Sequence, residues 1–402
     1  MGGWRALLEP EVRDFIVSHQ QDDVTALALK KPPQADWPMR LILDQIKARQ
    51  KAARKIPQWL PIGGIVFPSA DLMEQASSWP CALYKASLVG RGRMVDLTAG
   101  AGIDAFAFSS CFQEVVCVEN DPWTAEILAH NFAILKEQGL LRADFRVICA
   151  DAADHAREMR SFDAVFLDPQ RRAGGKKGLY RFEDCSPDVL RLLPFLKRET
   201  SPVFLKSSPV LDIGRAVQDL GCVAAVHIVE SDGECKEVLY LLETERGGVN
   251  PQIHAVEIGD AGQVVRDFSF LAAEEREAAP SFGMPERYVY EPGPAFLKSG
   301  AFGLLSVRFG LRKLHVHTHL YTSDTLRPDF PGKVYEILEV RSVGAGTGVV
   351  LSAELVLRNF PGTVEALRKK LKLAEGQEHR IFACTIIDGT KKLILTKKIP
   401  EI

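Results

Sequence analysis

Residues 94–104, Met94-Val95-Asp96-Leu97-Thr98-Ala99-Gly100-Ala101-Gly102-Ile103-Asp104, run a short apolar strand into an acid, a small-residue loop and the start of an apolar helix. A backbone approaches a ligand closely, or turns with positive φ, only where no Cβ intrudes, which is what Gly100 and Gly102 supply. Glu119 follows Asp96 by 23 residues and closes a second strand, 114–120. An acid at that place can hold the two hydroxyls of a ribose. The pattern reads as a site for an adenosine-type cofactor.

The loop chemistry selects among such cofactors. A dinucleotide site wants Gly-x-Gly-x-x-Gly, with pyrophosphate on the next helix N-terminus. Here an acid heads the loop and no third glycine stands at that spacing. No Lys-Ser or Lys-Thr follows the glycines, so a phosphate loop is excluded as well. A carboxylate beside the loop repels pyrophosphate but suits a ligand that carries an ammonium and a sulfonium. S-adenosylmethionine is the cofactor expected.

Downstream, apolar runs predict strands at about 94–98, 114–120, 145–150, 162–167, 202–206, 222–230 and 237–244, with helical patterns between the first five. Continuous apolar runs are what a parallel sheet covered on both faces requires. The last two, separated by Ser231-Asp-Gly-Glu-Cys-Lys236, form a predicted antiparallel hairpin. This order resembles the seven-stranded class I methyltransferase (Rossmann-like) fold. Acids recur at its strand ends, at Asp96, Glu119, Asp151 and Asp168, where ligands of such sheets bind.

Composition sets the frame. The 402 residues exceed one ordinary domain, and 46% hydrophobic with 25% charged residues describes a well-cored, soluble chain. No apolar run reaches the roughly 20 residues of a membrane span, and the N-terminus lacks a signal-peptide core. Eight cysteines without a C-x-x-C pair point to reduced thiols and a cytoplasmic setting. The net charge of −2 gives no uniform attraction to nucleic acid, but basic residues cluster locally. Arg40, Lys47, Arg49, Lys51, Arg54 and Lys55 face Asp44 alone within 40–55, and Arg171, Arg172, Lys176, Lys177 and Arg181 lie in 171–181. Residues 355–402 carry ten basic and five acidic side chains. Such patches can track phosphates, or can simply be solvated faces.

Four regions are expected. Residues 1–90 read as helical, with a helix over Met39–Ile56 and a second from a Ser69 cap to about Leu88, interrupted at Trp79-Pro80. The catalytic fold spans 91–246, ending at the Gly-Gly-Val-Asn-Pro251 linker signal. Short strands fill 252–326, and 331–402 reads as a small α+β unit with a hairpin at Asp388-Gly389. His315-x-His317-x-His319 puts three imidazoles on one predicted strand face, but no nearby Cys or carboxylate completes a ligand set, and no metal is expected.

Asp168-Pro169-Gln170-Arg171 ends the fourth strand. Class I enzymes that methylate nitrogen on planar bases carry Asn/Asp-Pro-Pro and an aromatic residue here; Gln170 and Arg171 replace the second proline and the aromatic ring. Asp168 can accept a hydrogen bond from an exocyclic amine and orient its lone pair. The chain also resembles RNA uracil-5 methyltransferases, but Ser207-Ser208 stand where their next strand bears a nucleophilic Cys, which excludes the covalent pyrimidine route.

Gln75-Ala-Ser-Ser, Tyr84-Lys85-Ala-Ser-Leu-Val, the 96–102 loop, Leu167-Asp-Pro-Gln-Arg-Arg, Phe182-Glu-Asp-Cys-Ser-Pro-Asp188, Lys206-Ser-Ser-Pro-Val-Leu-Asp-Ile213 and Glu234-Cys-Lys-Glu237 together resemble a bacterial family of class I methyltransferases. That family has a ferredoxin-like insert, matching 252–326, and a C-terminal THUMP-like domain holding Arg358-Asn-Phe-Pro-Gly and Leu367-Arg-Lys-Lys-Leu. The resemblance covers nearly the whole chain and implies methyl transfer to RNA. Cofactor contacts are expected from Gln75, Lys85, Asp96, Thr98, Ala99, Gly100, Gly102, Asp104, Glu119, Asn120, Asp151, Ala152 and Asp168. Gln75 or Lys85 would reach the methionine carboxylate, and Asp151 with a backbone amide the adenine amine. Catalysis is expected from Asp168, Pro169, Gln170 and Arg171, and substrate binding from Arg171, Arg172, Lys176, Lys177 and Lys206. The function expected is methylation of a base nitrogen in tRNA or rRNA; a protein or metabolite acceptor, and a non-catalytic RNA-binding protein, are the alternatives.

Overall fold

The computed structural model describes residues 3–171, 181–199, 202–243, 248, 250–343 and 352–400, and of Arg171, Arg198 and Glu199 the backbone alone. The chain folds into two units, the first made mostly of residues up to 231 with 236–251 and 258–265, the second mostly of residues from 266 onward with 252–257. Among the described residues, no helix is long and apolar enough to cross a membrane.

The first unit opens with helices α1 (Pro10–Ser18), α2 (Val24–Ala28), α3 (Met39–Lys55), α4 (Ala70–Gln75) and α5 (Trp79–Ser87). The helix expected over Met39–Ile56 is α3, whose apolar stripe buries Ile42, Ile46, Ala48 and Ala52. Its basic face is only partly available for a partner. Arg49 is buried and donates to Leu60 O, Lys55 donates to Ala76 O at the end of α4, and Lys51 pairs with Glu74. Ser69 caps α4 through the Leu72 amide, as expected. The expected interruption falls at residues 76–78, just before Trp79-Pro80, and Pro80 stands in the first turn of α5, where its missing N–H would find no intrahelical partner anyway.

Seven strands of the first unit belong to one sheet: β1 (Arg93–Asp96), β2 (Glu114–Glu119), β3 (Asp144–Cys149), β4 (Ala164–Leu167), β7 (Val203–Ser207), β8 (Val223–Ser231) and β9 (Glu234–Leu242). Between β4 and β7 a short ladder joins β5 (Gln170–Arg171) to β6 (Cys185–Ser186). Within that sheet these seven stand in the order β8-β9-β7-β4-β1-β2-β3. β1 to β4 and β7 are mutually parallel, and β9 runs antiparallel beside β7. This is the class I methyltransferase sheet. Asp232 and Gly233, both with positive φ, make the β8–β9 turn. Helices α6 (Ile103–Phe108), α7 (Pro122–Glu137), α8 (Ala152–Glu158), α9 (Val189–Glu199) and α10 (Ile213–Leu220) connect the parallel strands. Val95, Cys117, Phe166 and Leu239 bury the sheet's centre.

In the chain that follows, β10 (Gln252–Ile258) and β11 (Val264–Leu271) are neighbours. The second unit contains an eight-stranded sheet, in the order β12 (Ser281–Phe282), β14 (Arg312–His315), β15 (Thr318–Ser323), β13 (Tyr288–Pro292), β16 (Gly332–Ser342), β19 (Lys391–Lys398), β18 (His379–Thr385) and β17 (Glu354–Arg358). Helices α11 (Ala272–Glu277), α12 (Pro294–Ser299), α13 (Phe302–Phe309) and α14 (Val364–Leu371) complete it. β13 and β16 pair antiparallel over Tyr288–Pro292, so one sheet runs through both segments. The Asp388-Gly389 hairpin is present, with Gly389 at φ +79°.

The histidine run differs from its expectation. His315 ends β14 and His319 lies in β15, so a turn separates them and the three rings do not share a strand face. His319 instead stacks on Phe302, 3.5 Å between ring centres, and burial, helped by Lys313, His317 and Arg358, pulls its pKa down to about 4. Among the described residues, no group of three or more His, Cys, Asp and Glu is placed to hold a metal.

Candidate active site

Backbone bonds to both neighbouring strands pin the loop after β1. Leu97 N–H donates to Phe166 O, and Ala99 N–H to Val118 O, each at 3.0 Å. Gly100 and Gly102 take φ +49° and +77°. A Cβ on Gly102 would lie 2.3 Å from Leu128 Cδ1, so a side chain there would have to displace Leu128 as well as hold an unfavourable φ. Leu72 of α4 approaches the Gly100 position, and α4 covers the loop.

Beside this loop, at the carboxyl ends of the parallel strands, lies a cavity of about 700 Å³. Its lining includes Ser69, Leu72, Gln75, Thr98, Gly100, Asn120, Thr124, Ala152, Gln170, Ser186 and Pro187, together with Asp71, Glu119, Asp121, Asp151 and Asp168. Five carboxylates and, among the described lining residues, no Lys or Arg make it electronegative. The Glu119 carboxylate is oriented by two backbone donors, Gly100 N–H and Asp121 N–H, each at 2.9 Å. Asp151 Oδ1 caps α8 through the Ala153 and Asp154 amides. Asp168 N–H donates to Thr98 Oγ1 at 2.7 Å, and Asp168 Oδ2 accepts from Lys206 Nζ at 2.5 Å.

Behind the cavity is a buried ionic cluster. Lys85 Nζ donates to both oxygens of Glu237, at 2.6 and 2.7 Å, and to Ser77 Oγ at 3.0 Å. Ser77 Oγ donates to Asp104 Oδ2, while Asp104 Oδ1 lies 3.2 Å from the ammonium without hydrogen-bond geometry. Burial by itself would lower the Lys85 pKa; Asp104 and Glu237 together outweigh it and hold the ammonium above its usual range. Lys206 behaves likewise, with burial opposed by Asp168 and Glu237 and a pKa that ends raised.

A solved structure of a candidate methyltransferase from Porphyromonas gingivalis W83 is 30% identical to this chain, covers 96% of it over 97% of its own length, and superposes with a TM-score of 0.85. The chain belongs to this methyltransferase family. The family described as conserved hypothetical protein 95 matches residues 79–175, a ferredoxin-like domain matches 288–331 and a THUMP domain-like family matches 332–398. More distant likenesses cover less. TrmK of M. capricolum, solved with S-adenosyl-homocysteine, is 11% identical over 41% of this chain and 68% of its own (TM-score 0.31). A candidate RNA methyltransferase of Pyrococcus horikoshii is 21% identical over 35% of this chain and 58% of its own (TM-score 0.23). Among curated proteins, none matches the chain.

Of the methyltransferase's expected site residues, the cavity brings together Gln75, Thr98, Gly100, Glu119, Asn120, Asp151, Ala152, Asp168 and Gln170. Ala99, Gly102 and Asp104 line a small adjoining hollow. Two expected cofactor ligands stand elsewhere. Lys85 lines neither space, because its ammonium is spent on Glu237 and Asp104 inside the core. Asp96 lines neither space and braces the loop, its Oδ1 accepting from Thr98 N–H at 2.9 Å. Burial pushes its pKa well above the carboxylate range; the Thr98 amide opposes this, and Asp104, Asp168 and Glu119 add to it. Pro169 is buried and outside the lining. Arg172, Lys176, Lys177 and the Arg171 side chain lie outside the described residues. Sequence reading missed Asp71, Leu72, Asp121 and Thr124. The signal that would have found one of them is Asp121-Pro122, the pattern of an N-cap followed by proline, and Asp121 caps α7 through the Thr124 amide.

Proposed function

We propose that this methyltransferase uses S-adenosylmethionine to methylate a base nitrogen in structured RNA, tRNA or rRNA. The observation that carries the reading is the electronegative cavity on the strand ends with Asp168 on its wall. Five carboxylates would repel a pyrophosphate and attract a ligand that bears an ammonium and a sulfonium. Glu119, held by two backbone amides, would take the ribose hydroxyls. Asp151 and the Ala152 backbone would meet the adenine, Gly100 would allow close approach, and Gln75 would face the amino-acid end. The group's chemistry is an electrophilic methyl on positively charged sulfur. The chain's own work is placement: Asp168, fixed by Thr98 on its amide and Lys206 on Oδ2, orients the acceptor nitrogen toward that methyl. The RNA acceptor is supported by the THUMP-like match over 332–398.

Titration calorimetry with S-adenosylmethionine, S-adenosylhomocysteine and NAD tests the cofactor. Micromolar binding of the first two alone is expected; no binding by a folded, ligand-free sample overturns it. Asp168→Ala should abolish methyl transfer to RNA and leave cofactor affinity nearly intact, and equal loss of both would reduce Asp168 to a cofactor-binding or structural role.

A further inference from the structure

We propose that Asp168 and Lys206 act together on a lactam edge of the acceptor base, a ring N–H beside a carbonyl as in guanine N1 or uracil N3, rather than on an exocyclic amine. The inference rests on the RNA-methylation reading above and narrows it. An exocyclic amine gains positive charge as the methyl arrives, and it is best served by acceptors alone. Here an ammonium sits 2.5 Å from Asp168 Oδ2, on a lysine that is only 9% exposed. A fixed cation at that distance opposes a positive charge developing beside Asp168 and favours a negative one.

A lactam nitrogen makes the opposite demand. Its N–H proton must leave before its electron pair is available, and the charge released spreads onto the neighbouring carbonyl oxygen. Asp168 Oδ1, not used by Lys206, receives the proton. The nitrogen pair forms the N–C bond while the methyl's former bonding pair stays on the donor sulfur. Neutral base, sulfonium and carboxylate thus become methylated base, thioether and carboxylic acid, which returns its proton to water. Lys206, behind Asp168 and off the cavity wall, lends its positive field to the charge on the carbonyl oxygen without touching the base, and the Gln170 carboxamide on the wall offers one donor and one acceptor to the base edge. The groups acting on Lys206 are Asp168, Glu237, Lys85, Asp104 and Lys55, and their sum keeps it an ammonium.

The full-length protein, S-adenosylmethionine and unmodified tRNA and rRNA, followed by mass spectrometry of the nucleosides, decide the matter. 1-Methylguanosine or 3-methyluridine is the expected product. A methylated exocyclic amine of adenosine, guanosine or cytidine overturns this inference and spares the broader reading. No transfer to any RNA, by protein that still binds S-adenosylhomocysteine, sinks the broader reading and this inference with it. Lys206→Gln should slow transfer about 100-fold at neutral pH. About tenfold should return at alkaline pH, where the lactam ionises without help. S-adenosylhomocysteine affinity should stay within about threefold, because Lys206 does not line the cavity. A rate flat with pH, or a parallel loss of that affinity, makes Lys206 a scaffold residue and overturns the pairing.

Discussion

In the first unit Lys85, 1% exposed, is gripped by Glu237, 2% exposed; in the second, the buried Glu291 is gripped by Arg358 and Arg380. The two clusters solve the same problem by opposite routes. A compact ammonium with three donors is enclosed by carboxylates from elements far apart in sequence, and neither Lys85 nor Glu237 reaches water. In the second cluster two guanidinium forks close on one acid, and the charge leaks outward through Arg358 at 38% exposure and Glu354 at 51%. A buried pair with no exit is stable only while complete, since losing one partner strands the other. The closed cluster stands behind the cavity; the open one ties β13 to β17 and β18.

Breaking the closed pair should have the largest effect. Glu237→Ala leaves Lys85 with Asp104 alone and should cost about 3–5 kcal/mol. All five tryptophans, Trp4, Trp37, Trp59, Trp79 and Trp123, lie in the first unit, so their fluorescence in urea follows that unit alone. A loss under about 1 kcal/mol would mean that Lys85 finds water and the two clusters are alike. Glu291→Gln should cost less, about 1–2 kcal/mol, because Arg358 rehydrates and Arg380 retains Glu354. Far-UV circular dichroism against tryptophan fluorescence would separate the units, and a cost matching that of Glu237→Ala would erase the contrast.

The contrast extends to pH. The Lys85 pKa is raised in the fold, so its stabilisation is complete below the unfolded value of about 10.5 and is lost as pH climbs through the raised one. Tryptophan fluorescence should therefore report alkaline unfolding of the first unit only above that pH. The smallest effect should lie in the second unit at acid pH. His319, lowered to about 4, binds more protons unfolded than folded between there and about 6.5, so stability falls as pH drops through that window. His319→Phe should flatten the fall seen by circular dichroism; an unchanged slope would assign it to other groups.

Much of the fold was legible because its signals are local. Runs such as Val115-Val116-Cys117-Val118 announce a strand covered on both faces, and Ser69 and Asp388-Gly389 announce a cap and a turn. The acids at the strand ends came from the same kind of reading, and Glu119, Asp151 and Asp168 do meet on one cavity. Lys85 was misread because its partner, Glu237, lies 152 residues away, and nothing near Lys85 in sequence reveals that the charge is internal. The sequence left the basic face of α3 open between phosphate binding and a solvated surface, and the internal use of Arg49 and Lys55, whose donors go to the Leu60 and Ala76 carbonyls, was hidden for the same reason. The histidine run has perfect alternation, but a turn between β14 and β15 breaks the period.

The pairing of β13 with β16 has a consequence for anyone dividing this protein. The ferredoxin-like match ends at residue 331 and the THUMP-like match begins at 332, which makes that peptide bond the natural place to cut. Cutting there would split a continuous ladder from Tyr288↔Glu336 to Pro292↔Gly332 and leave each fragment with a raw strand edge. Unpaired edges of that kind recruit other chains. The two halves would sooner form mixed oligomers, or reassemble with each other when co-expressed, than behave as separate soluble modules.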